Sequence, residues 1–319
     1  MDMPLDPAAR PVRIGILPIA DFAVMSYAAT VEPLRAANLL AGRMLYEMVH
    51  VGNGPVASSG AAVVPPDAQV GAALRLDMLF VIAGGDVGAH DDPALARWLA
   101  RMAREGVHLG GVSGGPVILA RAGLMAGRRM TLHWEYAEAL AEASPDLALE
   151  RSLYVIDRDR MTCAGGTAPL DMMHALIARQ HGAAFARRVS DWFMHTEVRP
   201  AIGPQRAGLA ERVGSHTPAI LDAVEVMESH LADPLDLGQI ASIAGVSPRQ
   251  LNRLFTDQLG TPVMRYYRAL RLDRAQSLLR NSAMPLTQIA LATGFANSSH
   301  FSRAYAAQFG HPPSHYRDA

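Results

Sequence analysis

Two short runs of polar side chains stand at matching places in the second half of the chain. Arg249, Gln250, Asn252 and Arg253 follow Gly245, and Ser298, Ser299, Ser302 and Arg303 follow Gly294. These side-chain types read base edges: Arg pairs with guanine, Asn or Gln with adenine, Ser with either. A different chemistry is written in Gly111-Val112-Ser113-Gly114-Gly115, a G-x-S-x-G between an apolar run and a helical pattern. In that nucleophile-elbow context Ser113 would attack, His133 or His174 would take its proton, and an Asp would orient the base. Metal and cofactor chemistry find no support. His133 has no partner at ligand spacing, and Pro312-Pro313 interrupt the four-residue spacing of His311 and His315. Gly52, Gly54 and Ala57 imitate a dinucleotide fingerprint, but Pro55 breaks it and no helix opens there.

The polar runs sit in a duplicated segment. Ile240 aligns with Ile289, Gly245 with Gly294, Leu251 with Phe301, Arg253 with Arg303 and Phe255 with Tyr305. Each copy reads as a short helix, a glycine turn and a second helix, then a Gly-x-Pro, which is helix-turn-helix grammar. The glycines fall where the first helix must stop and a left-handed residue costs least. Ser247 with Pro248 behind it is a helix start, and Asn297 or Ser298 starts the matching helix. Leu251, Leu254 and Phe255 form a buried stripe, as do Phe301, Ala304 and Tyr305, which leaves the polar runs outside. A ligand-free helical bundle explains one such copy. Two in register, joined by a basic helix over 262–280, point to nucleic acid.

Charge agrees. The 29 basic residues, all Arg, nearly balance 30 acidic ones. Between residues 247 and 317, however, nine arginines face only Asp257 and Asp273, a phosphate-binding imbalance. Among them Arg268, Arg271 and Arg274 serve either phosphates or packing between the motifs. The single cysteine, Cys163, excludes an internal disulfide and fits a reducing cytoplasm. No stretch has the length and apolarity of a membrane span, and the N-terminal residues lack a signal-peptide pattern.

The first half alternates strand and helix patterns. Strands are expected at 13–19, 45–51, 77–83 and 108–112, with a hairpin at 152–156 and 160–163. Helices are expected at 26–40, 93–105, 116–122, 170–181 and 184–195. That alternation means a mostly parallel sheet covered on both faces. The expected organisation is a flexible N-terminus (1–12), an α/β domain (13–199), a linker (200–216) and an all-α domain (217–319).

Both halves resemble known families. Residues 217–319 are similar to the DNA-binding domain of AraC/XylS-type transcriptional regulators. The resemblance rests on Arg274-Ala275, Leu278, Ile289-Ala290, Gly294-Phe295, Phe301, Tyr305, Phe309-Gly310 and Pro312. It implies two recognition helices about 34 Å apart, entering successive major grooves. Glu32-Pro33-Leu34-Arg35-Ala36-Ala37-Asn38, Gly84-Gly85, Gly111 to Pro116, Ala122-Gly123-Leu124, Thr131 to Glu135 and Thr162 to Gly166 resemble the class I glutamine-amidotransferase-like fold of the ThiJ/PfpI group. In particular they resemble the version found in GlxA-like regulators. The implied fold is α/β, a flavodoxin-like three-layer sandwich, followed by an all-α domain with two helix-turn-helix motifs.

The enzymes of that fold carry Cys in the elbow, where this chain has Ser113. Their upstream acid falls near Ser26, which is no acid. The resemblance therefore implies a non-catalytic sensor, with a ThiJ/PfpI-type hydrolase or amidotransferase using Ser113 as the alternative. The expected pocket walls are Asp21, Met25, Ser26, Ser113, His133, Trp134, Glu135 and Cys163, at the strand ends where such sheets bind ligands. Related regulators respond to arginine, carnitine and choline derivatives, so an amine effector is implied, with Trp134 and Glu135 holding its cation. The implied partners of such an activator are double-stranded promoter DNA, a small-molecule effector, RNA polymerase and a second copy of the chain.

Overall fold

The computed structural model describes residues 10–88, 90–282 and 284–316. The chain divides between Gln205 and Arg206 into two compact units. Most of the expected N-terminal tail lies outside the described residues. Its described part is tied down: Arg10 pairs with Asp77 at 2.6 Å, and Val12 already belongs to a strand.

The first unit is built on six strands: β1 (Val12–Pro18), β2 (Tyr46–His50), β3 (Met78–Ala83), β4 (His108–Ser113), β5 (Tyr154–Asp157) and β6 (Arg160–Cys163). Their order is β2-β1-β3-β4-β6-β5, and every pairing is parallel except β5 with β6. Central β3 is buried along its whole length because both of its faces are covered. Phe80 and Ile82 point to a core shared with α1 (Val24–Ala41), α5 (Ala168–His181) and α6 (Ala183–Trp192). Leu79 and Val81 point the other way, to a core shared with α2 (Pro93–Arg104), α3 (Gly115–Arg121) and α4 (Trp134–Ala143). The strict alternation of strand side chains thus makes two cores and three layers from one sheet.

The second unit is helical: α7 (Leu209–Val213), α8 (Pro218–Ser229), α9 (Leu237–Ile243), α10 (Pro248–Leu259), α11 (Val263–Asn281), α12 (Leu286–Ala292) and α13 (Ser298–Phe309). Ile220, Val224, Met227, Ile240, Leu251, Phe255 and Tyr267 pack its first core. The segment expected as a linker is ordered. Its first part belongs to the first unit, where Ala201 and Gln205 hydrogen-bond to Leu153 and Ser152, while in the second unit Arg212 on α7 makes two hydrogen bonds to Glu228 on α8.

Candidate functional site

The two reading faces begin with their caps. Ser247 accepts from the Gln250 amide at 3.3 Å, and Asn297 accepts from the His300 amide at 2.8 Å. Each such cap contributes about 1 kcal/mol and fixes where α10 and α13 start. Behind each cap is the turn glycine, Gly245 with φ 68° and Gly294 with φ 71°. Leu251 and Phe255 on α10, and Phe301 and Tyr305 on α13, are fully buried. That burial rotates Arg249, Gln250 and Arg253 into solvent on α10, and Ser299 and Arg303 on α13. Ser298 and Ser302 are half-buried at the margin.

Asn252 departs from expectation. Its side-chain oxygen accepts from the Val263 amide at 3.0 Å, so it holds the first turn of α11 and only its NH2 remains for a base. Arg271 resolves one of the three ambiguous arginines. It donates to the Thr293 and Gly294 carbonyls at the end of α12, and its guanidinium lies 4.3 Å from the Phe295 ring centre. Burial pulls its pKa down, as expected of a cation that packs. His300, exposed on α13 against Phe295, stands where the repeat places Gln250 in the first copy, a matching polar position that the sequence analysis left out.

At the carboxyl ends of the parallel strands six of the eight expected wall residues, Asp21, Ser26, Ser113, His133, Trp134 and Glu135, are linked into a ring by hydrogen bonds and packing contacts. Ser113 closes β4 with φ 60°, a left-handed conformation that costs a non-glycine residue about 1–2 kcal/mol. The elbow is tight because α3 approaches the sheet. A Cβ on Gly115 would lie 2.0 Å from the Val81 carbonyl oxygen, and one on Gly165 would lie 2.6 Å from Ser113 Cβ. Ser113 O accepts from the His133 amide, and Tyr136 Oη donates to Gly85 O at 3.1 Å. Asp21, itself at φ 64°, packs on Gly84 and Gly85. Ser26 Oγ accepts from the Gly166 amide at 2.9 Å, so the hydroxyl in the place of the expected acid does structural work. Trp134 is 44% exposed and lies against His133, with Glu135 beside them. Met25 is exposed on the first turn of α1.

Cys163 does not line this wall. It is fully buried beneath it in the core, and burial pushes its thiol pKa up to about 12. A thiol that stays protonated is neither nucleophile nor metal ligand. Ser113 Oγ has no hydrogen-bond partner among the described residues. His133 is held below the usual imidazole pKa mainly by burial, and His174 hydrogen-bonds Ser190 at 2.8 Å instead. His174 and Ser190 line a separate small hollow between α1, α5 and α6. The rings of His311 and His315 come within 4.9 Å across a short 3-10 turn, Pro313–Tyr316. Among the described residues no group of three metal-ligating side chains forms there or elsewhere. No described helix is long and apolar enough to cross a membrane.

Known proteins share both halves. A family model described as DJ-1/PfpI family matches residues 14–179, and one described as a helix-turn-helix domain matches residues 240–319. The HTH-type transcriptional regulator GlxA of Rhizobium meliloti (strain 1021) is 46% identical over 96% of this chain and 95% of its own length. The regulator CdhR of Pseudomonas aeruginosa is 40% identical over 93% of this chain and 88% of its own. A solved AraC family transcriptional regulator from Pseudomonas putida superposes with a TM-score of 0.53 at 27% identity, covering 57% of this chain and 100% of that one. The chain belongs to the GlxA-like transcriptional regulators, which join a DJ-1/PfpI domain to an AraC-type helix-turn-helix domain.

Proposed function

We propose that the helical unit binds promoter DNA through α10 and α13 together, while the α/β unit does no chemistry and senses a small metabolite. The observation that carries the first part is the pair of capped helices that bury equivalent aromatic and aliphatic residues and leave Arg249, Gln250, Arg253, Ser299 and Arg303 in solvent. Ser298, Ser302 and the free amide of Asn252 complete the two faces. Arg253 and Arg303 occupy matching places on them. Footprinting on the region upstream of its own gene should show two adjacent protected major-groove segments. Arg253→Ala with Arg303→Ala should lower affinity at least about tenfold, since each well-made base contact contributes about 1–3 kcal/mol. Unaltered protection in the double variant would remove these residues from the interface.

Support for a unit that does no chemistry comes from three features at and beneath the strand-end ring. The sole cysteine is buried and protonated, Ser26 stands where an acid is needed, and Ser113 lacks a hydrogen-bonded base. In this reading the exposed Asp21, Met25 and Trp134 would form the mouth and the buried Ser26 and Ser113 the floor. The effector proposed for it is an amine, held by the Trp134 face and the Glu135 carboxylate. Choline or L-arginine raising the melting temperature of the protein, but not of a Trp134→Ala variant, is the expected result. A second copy of the chain, RNA polymerase and a cytoplasmic setting belong to the same reading. The left-handed Ser113 favours one rival, a hydrolase, which a turnover lost in Ser113→Ala would establish.

A further inference from the structure

Residues 193–205 run from the end of α6 to the last residue of the α/β unit, and this strap is pinned along its length. Asp171, fully buried on α5, accepts from His195 Nε2 at 2.8 Å, from the Arg199 amide at 2.8 Å and from the Arg199 guanidinium at 2.6 and 3.0 Å. Leu153 then donates its amide to Ala201 O at 2.8 Å. Gly203 packs so closely on Leu153 that a Cβ there would lie 2.9 Å from Leu153 Cδ1. These anchors use a buried charge and main-chain bonds, so they belong to the fold itself.

The final anchor is of another kind. Gln205 Nε2 points at three oxygens at once: Ser152 O at 2.7 Å, Thr131 Oγ1 at 3.1 Å and Leu132 O at 3.1 Å. Thr131 Oγ1 itself donates to Ser152 O at 2.7 Å, so the two amide hydrogens are shared around an already linked set of acceptors. Gln205 Oε1 is buried and has no partner among the described residues, and neither does Ser152 Oγ. A half-satisfied buried network is near its tipping point, because release lets water satisfy what docking leaves unpaired. The place it grips is equally telling. Leu132 is followed by His133, whose amide bonds Ser113 O, and then by Trp134. Three consecutive residues therefore connect the elbow, the exposed aromatic wall and the acceptor of Gln205.

We propose that Gln205 is a latch that couples the strand-end ring to the DNA-binding unit: docked, it fixes the chain exactly one residue before that unit begins, and movement of residues 131–134 releases it. The inference rests on the reading of the first unit as a sensor and the second as a DNA binder. Because coupling between two sites is reciprocal, DNA binding must in turn alter the ring. That consequence needs no effector to test.

The experiment follows amide hydrogen exchange at residues 131–134 in the full chain, with and without a duplex carrying the region upstream of its own gene. In the unaltered protein the duplex should change exchange at His133 and its neighbours. Gln205→Met, which keeps the stem and removes the donors, should still bind the duplex but leave those amides indifferent to it. Gln205→Glu, which sets a carboxylate against three oxygens, should release the strap more fully. Both variants should shift ligand-free DNA affinity in the same direction, by about five- to a hundredfold. A ring that answers to DNA equally well in Gln205→Met, or never answers in the unaltered chain, overturns the latch. Absence of any DNA binding by the unaltered chain is a separate result and overturns the regulator reading instead.

Discussion

Gly245 and Gly294 turn the chain at the same point of the two helix-turn-helix copies, at φ 68° and 71°, yet they live in different surroundings. A Cβ on Gly245 would meet nothing within 4 Å. One on Gly294 would lie 2.6 Å from Leu231 O and 2.7 Å from Pro234 Cδ. The first copy shares its core with α8, but its turn is left clear and its polar ties are its own: Ser247 caps α10, and Asn252 ties α10 to the start of α11. The second is gripped from outside, by Arg271 on its turn carbonyls and by the loop between α8 and α9. The turn of one such motif can thus stand clear or be clamped by its neighbours. A recognition helix held by its neighbours inherits their stability.

That contrast can be broken most directly at the glycines. Alanine at either position adds left-handed strain of about 1–2 kcal/mol. Gly294→Ala adds a clash with a backbone oxygen, and should cost roughly 1–3 kcal/mol beyond Gly245→Ala. Urea unfolding of the full-length variants compares the two, and equal losses would mean that Leu231 and Pro234 yield freely. Arg271→Met comes next. It removes charged hydrogen bonds to two carbonyls, each contributing about 1.5–3 kcal/mol, together with the ring contact. Its footprint should lose the segment protected by α13 before the one protected by α10. Simultaneous loss of both would say that α11 positions the copies as one body.

The smallest effect sharpens a second contrast, between the two units. His133, His174 and His181 all lie in the α/β unit, and burial holds each below the usual imidazole pKa. In the unfolded chain they bind protons near pH 6.5, so between that value and their lower folded values the unfolded state carries more protons. Stability of this unit should therefore fall as pH drops below about 6.5, and level off above it. Thermal unfolding from pH 8 to 5 reads the slope, which His133→Gln should reduce. A slope of opposite sign would mean that the charged imidazoles are stabilised in the fold.

Much of the molecule was legible because its signals are local. The repeated glycines, the caps Ser247 and Asn297, and the stripes of Leu251 with Phe255 and Phe301 with Tyr305 need only helical periodicity and cap chemistry. The strands were legible as apolar runs, and all six appear within a residue or two of expectation. Wall residues were harder. Cys163 sits two residues before Gly165 and looked like part of the rim, but alternation along β6 turns it into the core. Asn252 carried the signature of a base reader, and its second duty depended on where Val263 would lie, eleven residues on. Gln205 carried no signal at all, since its three acceptors are 53 to 74 positions away.

The order of amino acids by itself determined the two kinds of unit, the duplicated motif and the reach of its outer side chains, because these follow from spacing within one element. Tertiary structure alone decided what Arg271, Asn252, Ser26 and Gln205 spend their hydrogen bonds on. Such a group has several chemically equal partners in the chain. Only burial of the surrounding apolar residues, which fixes which carbonyl or amide is left without water, selects among them.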